Sequence, residues 1–557
     1  MSYLQLSSHE LVHQVDTKQN NPDQAAELIK EVYHRIIDPT RSDEIFKAFE
    51  IVLREEGVTP PKALESDALF SRRLEWKNCI DQQECFPKAI VRPRSCQDLI
   101  DYVHEGKNKK LRIRAVGSGH SFSNVCPTDG ILVDPHSMNK VLRTEKETLR
   151  DPALASRLVT VESGITIKEL NEKLNGMASA KALATMGAYD GQTLAGAIST
   201  GTHGSMVKQG PIASLVRSLV LVSEKGTVYK IEPSDGITDP SKFQPGPLNI
   251  VLKQDDDWFL SALVAMGCLG LIYAYTLDVV DSFLLKETRQ LTSWQEFKSQ
   301  LANGLSSPPL QHDYFELDIN PYVTDDRNTA ISVVRDIQPS GTMESGSRGL
   351  LNWLSGLLSV IPGAEWLLVG ILNTWPQISP GIITRALHTL ADSDYIAPSF
   401  MVFDIGAVDE VKAYAMELSF DATQDVVSIV DRVIAAFQKA ELDHKWYIAG
   451  PVALRFVAPA AAYAAPQEGR PTMMVEMDML AGIKTGPSLL KYLKESLCSG
   501  PEGAGVRVHW GLDLDTVTKD EVPKMFPQWE KWLGVYRQLN TTGMWNNAFT
   551  ERIGIST

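Results

Sequence analysis

Two glycine-containing loops hold the residue types that could bind a large anionic ligand. Residues 114–123 read RAVGSGHSFS, with Gly117 and Gly119 flanking Ser118 directly after a β-rich run. Glycines at this spacing let neighbouring backbone N–H groups point the same way, which forms a concave site for a pyrophosphate. The loop is neither a GxGxxG motif at the start of a helix nor a Walker loop. An ordinary Gly-Ser-Gly turn is the alternative.

The second loop, residues 191–205, consists mostly of small side chains. It reads GQTLAGAISTGTHGS, and small residues allow a backbone to pass close to a flat or charged ligand. A tightly packed small-residue helix that ends in a glycine turn is the alternative interpretation. Both loops contain a histidine and both are flanked by strands. Together they predict a binding site for a large nucleotide cofactor.

The composition is that of a soluble globular protein of more than one domain. The 557 residues include 54 Lys+Arg and 69 Asp+Glu, which gives a formal charge of −15. A chain this acidic is not expected to bind nucleic acid. Six cysteines without CxxC spacing indicate neither a disulfide framework nor a thiolate zinc site, so no metal is predicted. The first residues do not resemble a secretory signal, and a cytoplasmic location is expected.

Four segments are expected to position the two loops. Helical spacing of apolar residues predicts a helical N-terminal extension over residues 1–74. Short β-rich runs alternate with helices over residues 75–285. The predicted strands are at 89–91, 111–116, 159–164, 215–222 and 227–231, and the predicted helices are at 96–105 and 167–174. Residues 286–505 form a second domain, and residues 506–557 fold back because so short a segment cannot bury a core alone.

An apolar segment at residues 350–375 has nearly the length of a membrane span. It is interrupted by Pro362, Gly363 and Glu365. Two short amphipathic helices joined at the Pro-Gly pair and packed on their own domain are the first interpretation. A membrane-surface or substrate-entry lip and a true span are the alternatives. A cytoplasmic protein with peripheral membrane association through this segment is therefore an alternative.

Four motifs occur in an order that resembles a known family. They are residues 112–123, 187–205, 266–272 (MGCLGLI) and 507–511 (RVHWG). The sequence is similar to the vanillyl-alcohol-oxidase-type FAD-linked oxidoreductases, and within them to the sugar-lactone and alditol oxidase branch, which includes L-gulonolactone oxidase, D-arabinono-1,4-lactone oxidase and alditol oxidase. The resemblance implies an α+β fold with a two-subdomain FAD-binding domain (75–285), an α+β cap domain over the substrate (286–505) and a C-terminal segment that returns to the flavin (506–557).

The resemblance implies FAD as the cofactor, covalently bonded through His120. A histidine that caps the loop through a ring nitrogen is the alternative for this residue. The second loop would then run beside the pyrophosphate and under the flavin, and Ser205 matches a family serine that can contact substrate hydroxyls. The expected cofactor-binding residues are Val116, Gly117, Ser118, Gly119, His120, Ser121, Gly187, Gly191, Thr193, Gly196, Ala197, Thr200, Gly201, His203, Gly204, Ser205 and Ile272.

The substrate side departs from the family at two positions. The family's Glu-x-Arg pair falls on residues 453–455, where Ala453 replaces the glutamate and Arg455 is present. The family's His-Trp-Gly-Lys falls on residues 509–512, where Leu512 replaces the lysine. Two polar contacts are therefore missing, which favours a larger or more apolar alcohol over simple polyols.

Three residues are the candidate catalytic groups. Arg455 would stabilise negative charge on the flavin or on a substrate alkoxide, and a salt-bridged arginine on a strand is its alternative. The base that accepts the substrate proton would be His509 or Glu316. Glu316 belongs to a predicted strand on which it shares a face with Tyr314.

These residues predict an FAD-dependent oxidoreductase that oxidises a CH–OH group of a sugar lactone, an alditol or a larger alcohol. Hydride would pass to the flavin, and oxygen, which gives hydrogen peroxide, or another acceptor would reoxidise it. The alternatives are a tailoring flavoenzyme for a secondary metabolite or sterol-like alcohol, a catalytically decayed flavin scaffold, and a membrane-docked interaction protein. The oligomeric state is left open.

Overall fold

The computed structural model describes residues 74–346, 364–391, 395–405 and 412–556. These residues belong to one compact unit, Arg73–Thr557. The predicted helical extension, residues 1–74, lies outside the described residues except for its last position.

A small parallel sheet carries the first glycine loop. After a two-stranded ribbon, β1 (Trp76–Lys77) and β2 (Glu84–Cys85), the sheet contains β3 (Ala89–Val91), β4 (Ile113–Ala115) and β5 (Ile131–Val133) in the order β3-β5-β4. Helix α1 (Cys96–Lys109) begins where Ser95 accepts a hydrogen bond from the Asp98 N–H, and it ends at Lys110 in the left-handed region. Leu99 and Val103, four residues apart, pack against this sheet.

A mixed six-stranded sheet follows and carries the second loop. Its strands lie in the order β11-β10-β9-β12-β7-β6. They are β6 (Val141–Leu142), β7 (Leu158–Glu162), β9 (Val216–Val222), β10 (Val228–Glu232), β11 (Val251–Gln254) and β12 (Leu271–Asp278), and β8 (Lys181–Ala182) pairs separately with β13 (Val280–Asp281). The helices here are α2 (Ile167–Asn175), α3 (Leu194–Thr200) and α4 (Asp256–Leu263). A capping box between Thr166 and Glu169 starts α2.

An antiparallel eight-stranded sheet forms the second half, in the order β17-β14-β16-β15-β19-β20-β18-β21. The strands are β14 (Leu284–Ser293), β15 (Tyr314–Ile319), β16 (Thr329–Ile337), β17 (Tyr395–Pro398), β18 (Ala413–Asp421), β19 (Val452–Val457), β20 (Thr472–Leu480) and β21 (Arg507–Val508). The helices are α5 (Trp294–Phe297), α6 (Ala364–Thr374), α7 (Ser379–Leu390), α8 (Ser399–Phe403), α9 (Val426–His444) and α10 (Gly486–Cys498). On β20, Met473, Val475, Met477 and Met479 are buried in the core that includes α9 and α10, so the alternate residues face the other way.

The C-terminal segment contacts both halves. β21 pairs with β18 at the edge of the eight-stranded sheet. The helices α11 (Val522–Met525), α12 (Trp529–Leu539) and α13 (Ala548–Arg552) follow, and the Trp532 indole on α12 donates a hydrogen bond of 3.1 Å to the Val264 carbonyl after α4. The predicted return of this segment brings residues 509–512 between the two halves.

The predicted α+β fold class is confirmed, and the strands and helices predicted in residues 75–285 are β3, β4, β7, β9, β10, α1 and α2. We retain a domain boundary near residue 285 as a proposal, since β14 begins at Leu284. In the apolar segment 350–375, residues 350–363 lie outside the described residues and the rest begins with α6. Val369 and Leu372 on α6 are buried in the core, which fits an element packed on its own domain. No helix in the described ranges is long and apolar enough to span a bilayer.

Candidate active site

The two glycine loops interlock, and this explains why they contain so little side-chain volume. A Cβ on Gly117 would lie 2.0 Å from the Thr193 Oγ1, so no larger residue fits there. Gly119 has φ +73°, a conformation that favours glycine. The Ser118 hydroxyl donates a hydrogen bond of 2.6 Å to the Gly191 carbonyl. The first loop is therefore held directly against the second, by the contact of Gly117 with Thr193 and by the hydrogen bond of Ser118.

An elongated cleft runs along both loops. Its first part has about 1040 Å³ of empty space, and its second part has about 1260 Å³. The first part has apolar walls from Leu99, Met138 and Leu271 at the small parallel sheet and glycine-loop backbone beside them. The two parts meet at three shared residues, His120, Gln192 and Thr200.

The cleft fits FAD. An elongated dinucleotide needs an apolar slot for a flat ring, close backbone approach at the pyrophosphate and a second chamber for the other ring system. The glycine positions at which a Cβ would clash provide the close approach. The second part of the cleft is called the second chamber below. Three of its lining residues carry a buried polar atom without a partner in the described structure, the Tyr414 hydroxyl, Glu417 Oε1 and His509 Nδ1, as expected where a polar ligand completes the site.

Most of the predicted cofactor-binding residues line this cleft. The first part is lined by Val116, Gly117, Ser118, Gly119, His120, Ser121, Thr193, Gly196, Ala197, Thr200 and Ile272, and the second by Gly187, His120, Thr200 and His203. Gly191, Gly201, Gly204 and Ser205 lie beside the cleft and do not line it. Gly201 ends α3 with φ +90°, so its contribution is the turn that follows the helix.

Ser205 differs from the expectation that it contacts substrate hydroxyls. Its hydroxyl donates to the Phe315 carbonyl and accepts from the Phe456 N–H at 3.1 Å, and both partners belong to strands of the eight-stranded sheet. The side chain is buried. Ser205 therefore ties the second loop to β15 and β19, because both of its main hydrogen-bonding directions are used by backbone.

Arg455 projects into the second chamber from β19 and is held by two carboxylates. Its Nε donates a hydrogen bond of 2.8 Å to Glu316 Oε1, and its Nη1 forms an ion pair with Glu476. Burial lowers the pKa of Arg455, but Glu316 and Glu417 outweigh it and raise the pKa above its usual range. The guanidinium is therefore a fixed positive charge in the chamber. Arg455 fits both interpretations of the sequence, since it is salt-bridged on a strand and also lines the site.

Glu316, the second candidate for the base, lies behind Arg455. It is buried, it does not line the chamber, and Arg335 Nη1 donates to its Oε2 at 3.3 Å. Burial raises the pKa of Glu316, but Arg455 and Arg335 outweigh it and lower the pKa below its usual range. This geometry favours a positioning role for Glu316 over proton abstraction.

His509, the other candidate for the base, lies inside the chamber with a free acceptor atom. It is 6% exposed, and Nδ1 has no partner in the described structure. A hydrogen bond to the Gly201 backbone engages the ring. Burial lowers the pKa of His509 to about 4, against the opposing effect of Glu417. A neutral imidazole with an open nitrogen is the state that a general base requires.

His203 and Glu417 form a buried pair next to His509. His203 Nε2 lies 3.1 Å from Glu417 Oε2, its Nδ1 lies 2.8 Å from the Gly204 carbonyl, and its ring centroid lies 6.0 Å from that of His509. Both ring nitrogens face oxygen atoms, so these two contacts fix the orientation of the His203 ring. Burial raises the pKa of Glu417, but His203 outweighs it and lowers the pKa to about 2.

Three carboxylates of the chamber were missed in the sequence. Glu417, Glu476 and Asp478 line it, and burial with the charges of Glu417 and Glu316 raises the pKa of Asp478 to about 6. The available signal was a charged residue at alternating positions of two otherwise apolar runs, residues 413–421 and 472–480. On β20 this alternation places the acids on the face opposite Met473, Val475, Met477 and Met479.

Apolar side chains also line the chamber. They include Leu512, Phe122 and Ile405. The Phe122 N–H donates to the Gly511 carbonyl at 2.7 Å, which holds the C-terminal segment against the first glycine loop. The chamber therefore has an ionised wall, from the eight-stranded sheet, and apolar side chains elsewhere in its lining.

Comparison with known proteins gives the family. Residues 87–232 match an FAD binding domain. L-gulono-1,4-lactone dehydrogenase of Mycobacterium tuberculosis is 27% identical over 478 residues, which cover 86% of this chain and 98% of the relative. L-gulonolactone oxidase of Mus musculus is 24% identical, with 86% and 98% covered. D-arabinono-1,4-lactone oxidase of Saccharomyces cerevisiae is 29% identical over 231 residues, 42% of this chain and 39% of that protein.

Solved structures agree on the fold. A solvent-stable cholesterol oxidase superimposes with a TM-score of 0.66 at 14% identity over 86% of this chain and 97% of its own. Cholesterol oxidase from B. sterolicum gives 0.66 at 11% identity, over 86% and 96%. Residues 275–553, just over half of the chain, match the D-arabinono-1,4-lactone oxidase family. The chain therefore belongs to the D-arabinono-1,4-lactone oxidase family of FAD-dependent oxidoreductases.

Proposed function

We propose that this protein oxidises a secondary CH–OH group of a neutral sugar lactone to a carbonyl, with FAD attached through His120. The observation that carries the proposal is the second chamber, where His120, Arg455 and His509 line one space. His120 lies at the junction of the two parts of the cleft. FAD, when bound, accepts the hydride and passes two electrons to oxygen, which gives hydrogen peroxide, or to another acceptor.

His509 takes the hydroxyl proton in this proposal. Its Nδ1 is buried, unpartnered and, at a pKa of about 4, unprotonated at neutral pH. Protonation of His509 brings a positive charge next to Glu417, which lies in the same chamber and holds a negative charge. Glu417 therefore stabilises the imidazolium that forms when the proton is accepted.

Arg455 stabilises negative charge that develops during hydride transfer. Its guanidinium is the one permanent cation among the described residues of the chamber, and Leu512 stands where the family has lysine. Fixed charges in a site of low dielectric need no reorganisation as the reaction proceeds. The ionised wall also offers several acceptors for substrate hydroxyls, which supports a polyhydroxylated substrate over the larger apolar alcohol expected from the sequence.

The other candidate functions have less support. The similarity to cholesterol oxidases, at 11–14% identity, is a similarity of fold. A sterol would place an apolar ring system against the wall that holds Glu417, Arg455 and Glu476, where desolvation of these groups would oppose binding. A decayed scaffold is disfavoured because Arg455 and His509 both line the chamber.

The experiment starts with the absorption spectrum of the purified protein and acid precipitation. Flavin that stays with the pellet is the expected result. Anaerobic addition of L-gulono-1,4-lactone or D-arabinono-1,4-lactone should then bleach the flavin, and the open-chain aldonate of the same lactone serves as the matched control. Bleaching by none of a set of lactones and polyols would refute the proposed reaction. Flavin that appears in the supernatant would refute the covalent bond.

A further inference from the structure

The substrate wall of the chamber lacks a family carboxylate at position 453 and contains one that the family motif does not describe. On β19, Ala453 stands two residues before Arg455, where the resemblance places glutamate. On β20, Glu476 lines the same chamber as Arg455. The geometry of the two strands decides whether the second carboxylate can replace the first.

The strand register places Glu476 directly beside Ala453. β19 and β20 are antiparallel, and Ala453 and Glu476 are paired positions. Side chains of directly paired residues point to the same face, with Cβ atoms about 4.5–5.5 Å apart. A carboxylate that starts from position 476 therefore reaches the volume that a glutamate at 453 would occupy.

Glu476 also contacts the arginine. It forms an ion pair with Arg455 Nη1, while Glu316 binds Nε of the same guanidinium from behind. The Glu476 side chain is 19% exposed and the Glu316 side chain is 7% exposed. Of these two partners, Glu476 is the one that faces the chamber.

Two neighbouring buried groups indicate that a polar ligand completes this wall. Glu417 is paired with Glu476 across β18 and β20 and is 2% exposed, and its Oε1 has no partner in the described structure. His509 Nδ1 is buried in the same chamber without a partner. Buried polar atoms are costly without hydrogen bonds, so a ligand with several hydroxyl groups is the occupant that satisfies them.

We infer that Glu476 supplies the carboxylate of the acid–arginine pair from the neighbouring strand, where it orients Arg455 through one oxygen and accepts a hydrogen bond from a substrate hydroxyl through the other. This inference rests on the proposed function, because it requires a polyhydroxylated substrate in the chamber. Ala453 then marks a displaced carboxylate, and the paired positions 453 and 476 share one function.

Asp318 is the rival carboxylate and supplies the matched control. It is paired with Ala453 from the other side, across β15 and β19. Asp318 does not line the chamber, and no hydrogen bond to Arg455 is described for it. If any acid next to position 453 sufficed, the variants Asp318→Asn and Glu476→Gln would behave alike.

The test measures binding and reduction separately. L-gulono-1,4-lactone binding is measured by calorimetry on protein reduced with dithionite, which cannot accept a hydride, and flavin reduction is measured by anaerobic stopped flow. Glu476→Gln should weaken binding at least about tenfold, since a neutral amide replaces the charged acceptor of the hydrogen bond. Asp318→Asn should bind and reduce within about threefold of the wild type. The double variant Ala453→Glu/Glu476→Ala should recover most of the binding that Glu476→Ala alone loses.

Each outcome decides the inference. Unchanged binding in Glu476→Gln, or a double variant that folds and binds no better than Glu476→Ala, would overturn it. A larger loss in Asp318→Asn than in Glu476→Gln would assign the carboxylate to Asp318 and overturn it as well. If the wild type neither binds nor oxidises any lactone, the proposed function fails and the inference fails with it. If the wild type does both, the variants test the role of Glu476 separately from the proposed function. If Glu476→Gln does not fold, the double variant gives the answer.

Discussion

Replacement of His509 by glutamine tests the base and its burial with one variant. His509→Gln keeps a donor near the Gly201 backbone and removes the titrating ring. An exposed histidine has a pKa of about 6.5, whereas burial lowers the pKa of His509 to about 4. Protonation of His509 in the folded protein therefore costs about 3 kcal/mol more than in the unfolded chain, at about 1.4 kcal/mol per pKa unit.

The sign of the pH dependence follows from the depressed pKa. Between about pH 6.5 and pH 4 the unfolded chain binds a proton at His509 that the folded protein does not, so stability decreases as the pH falls. The contribution is fully present above about pH 6.5 and decreases by about 1.4 kcal/mol per pH unit below it. The wild type should therefore lose about 3 kcal/mol relative to His509→Gln between pH 7 and pH 4.

Urea unfolding of the FAD-loaded proteins at a series of pH values measures this difference. Asp478 and Asp318, whose pKa values burial raises to about 6 and about 7, titrate in the same range. They are present in both proteins, so the difference between wild type and variant isolates His509 to a first approximation. Equal pH dependence in the two proteins would refute the buried, neutral histidine.

The same variant tests the chemistry. Loss of a general base typically slows the reaction by about 10²–10⁴-fold, so anaerobic flavin reduction by a lactone should decrease by that factor in His509→Gln. In the wild type, titration of His509 should not change the rate constant at saturating lactone between pH 6 and pH 8, because His509 is already unprotonated there. A change of rate in that range is assigned to Asp478 or Asp318. Near-wild-type reduction in His509→Gln would place the base elsewhere.

Three further variants address the other groups of the site. His120→Ala should leave the FAD removable by acid, whereas Cys126→Ser, a change in the same cleft, should keep the flavin in the pellet; retained flavin in His120→Ala would contradict the covalent assignment. Arg455→Ala should raise the barrier to flavin reduction by about 2–4 kcal/mol in stopped-flow measurements, and unchanged kinetics would place the guanidinium away from the developing charge. Ser205→Ala leaves the buried Phe456 N–H unpaired and should lower the free energy of unfolding by about 1–3 kcal/mol with little effect on flavin reduction; a lost rate at full stability would return Ser205 to the substrate.

The elements around the cofactor cleft could be predicted because their causes are local. Alternating apolar residues predict β7 and β9, and the Thr166–Glu169 capping box sets the start of α2. In the first loop, Gly119 has a positive φ and Gly117 lies against Thr193, and the sequence shows both requirements as glycines at this spacing. The cofactor side of the site could therefore be located from short motifs.

The substrate wall could not be located in this way, because strand pairing assembles it. Glu316, Arg455, Glu476 and Glu417 come from four strands whose order in the sheet, β15-β19-β20-β18, differs from their order in the chain. A shift of one residue in any of these registers would turn the acids toward the buried methionines of β20. The strand that contains Glu316 could be predicted, but the contacts of its carboxylate with Arg335 and Arg455 could not. Glu316 was therefore a candidate for the base.

The pairing of the strands explains the departures from the family motif. In the sequence of β19 alone, Ala453 is a missing polar contact, which favours a more apolar substrate. In the sheet, position 453 lies between Asp318 and Glu476, and the chamber contains an arginine, carboxylates and an imidazole. Leu512 has no comparable substitute among the described lining residues, since Arg455 is the permanent cation there. A change at position 512 therefore alters the net charge of the site. The change at position 453, with Glu476 in the role inferred above, only moves a carboxylate to the neighbouring strand. We therefore expect substrate selection to depend more on position 512 than on position 453.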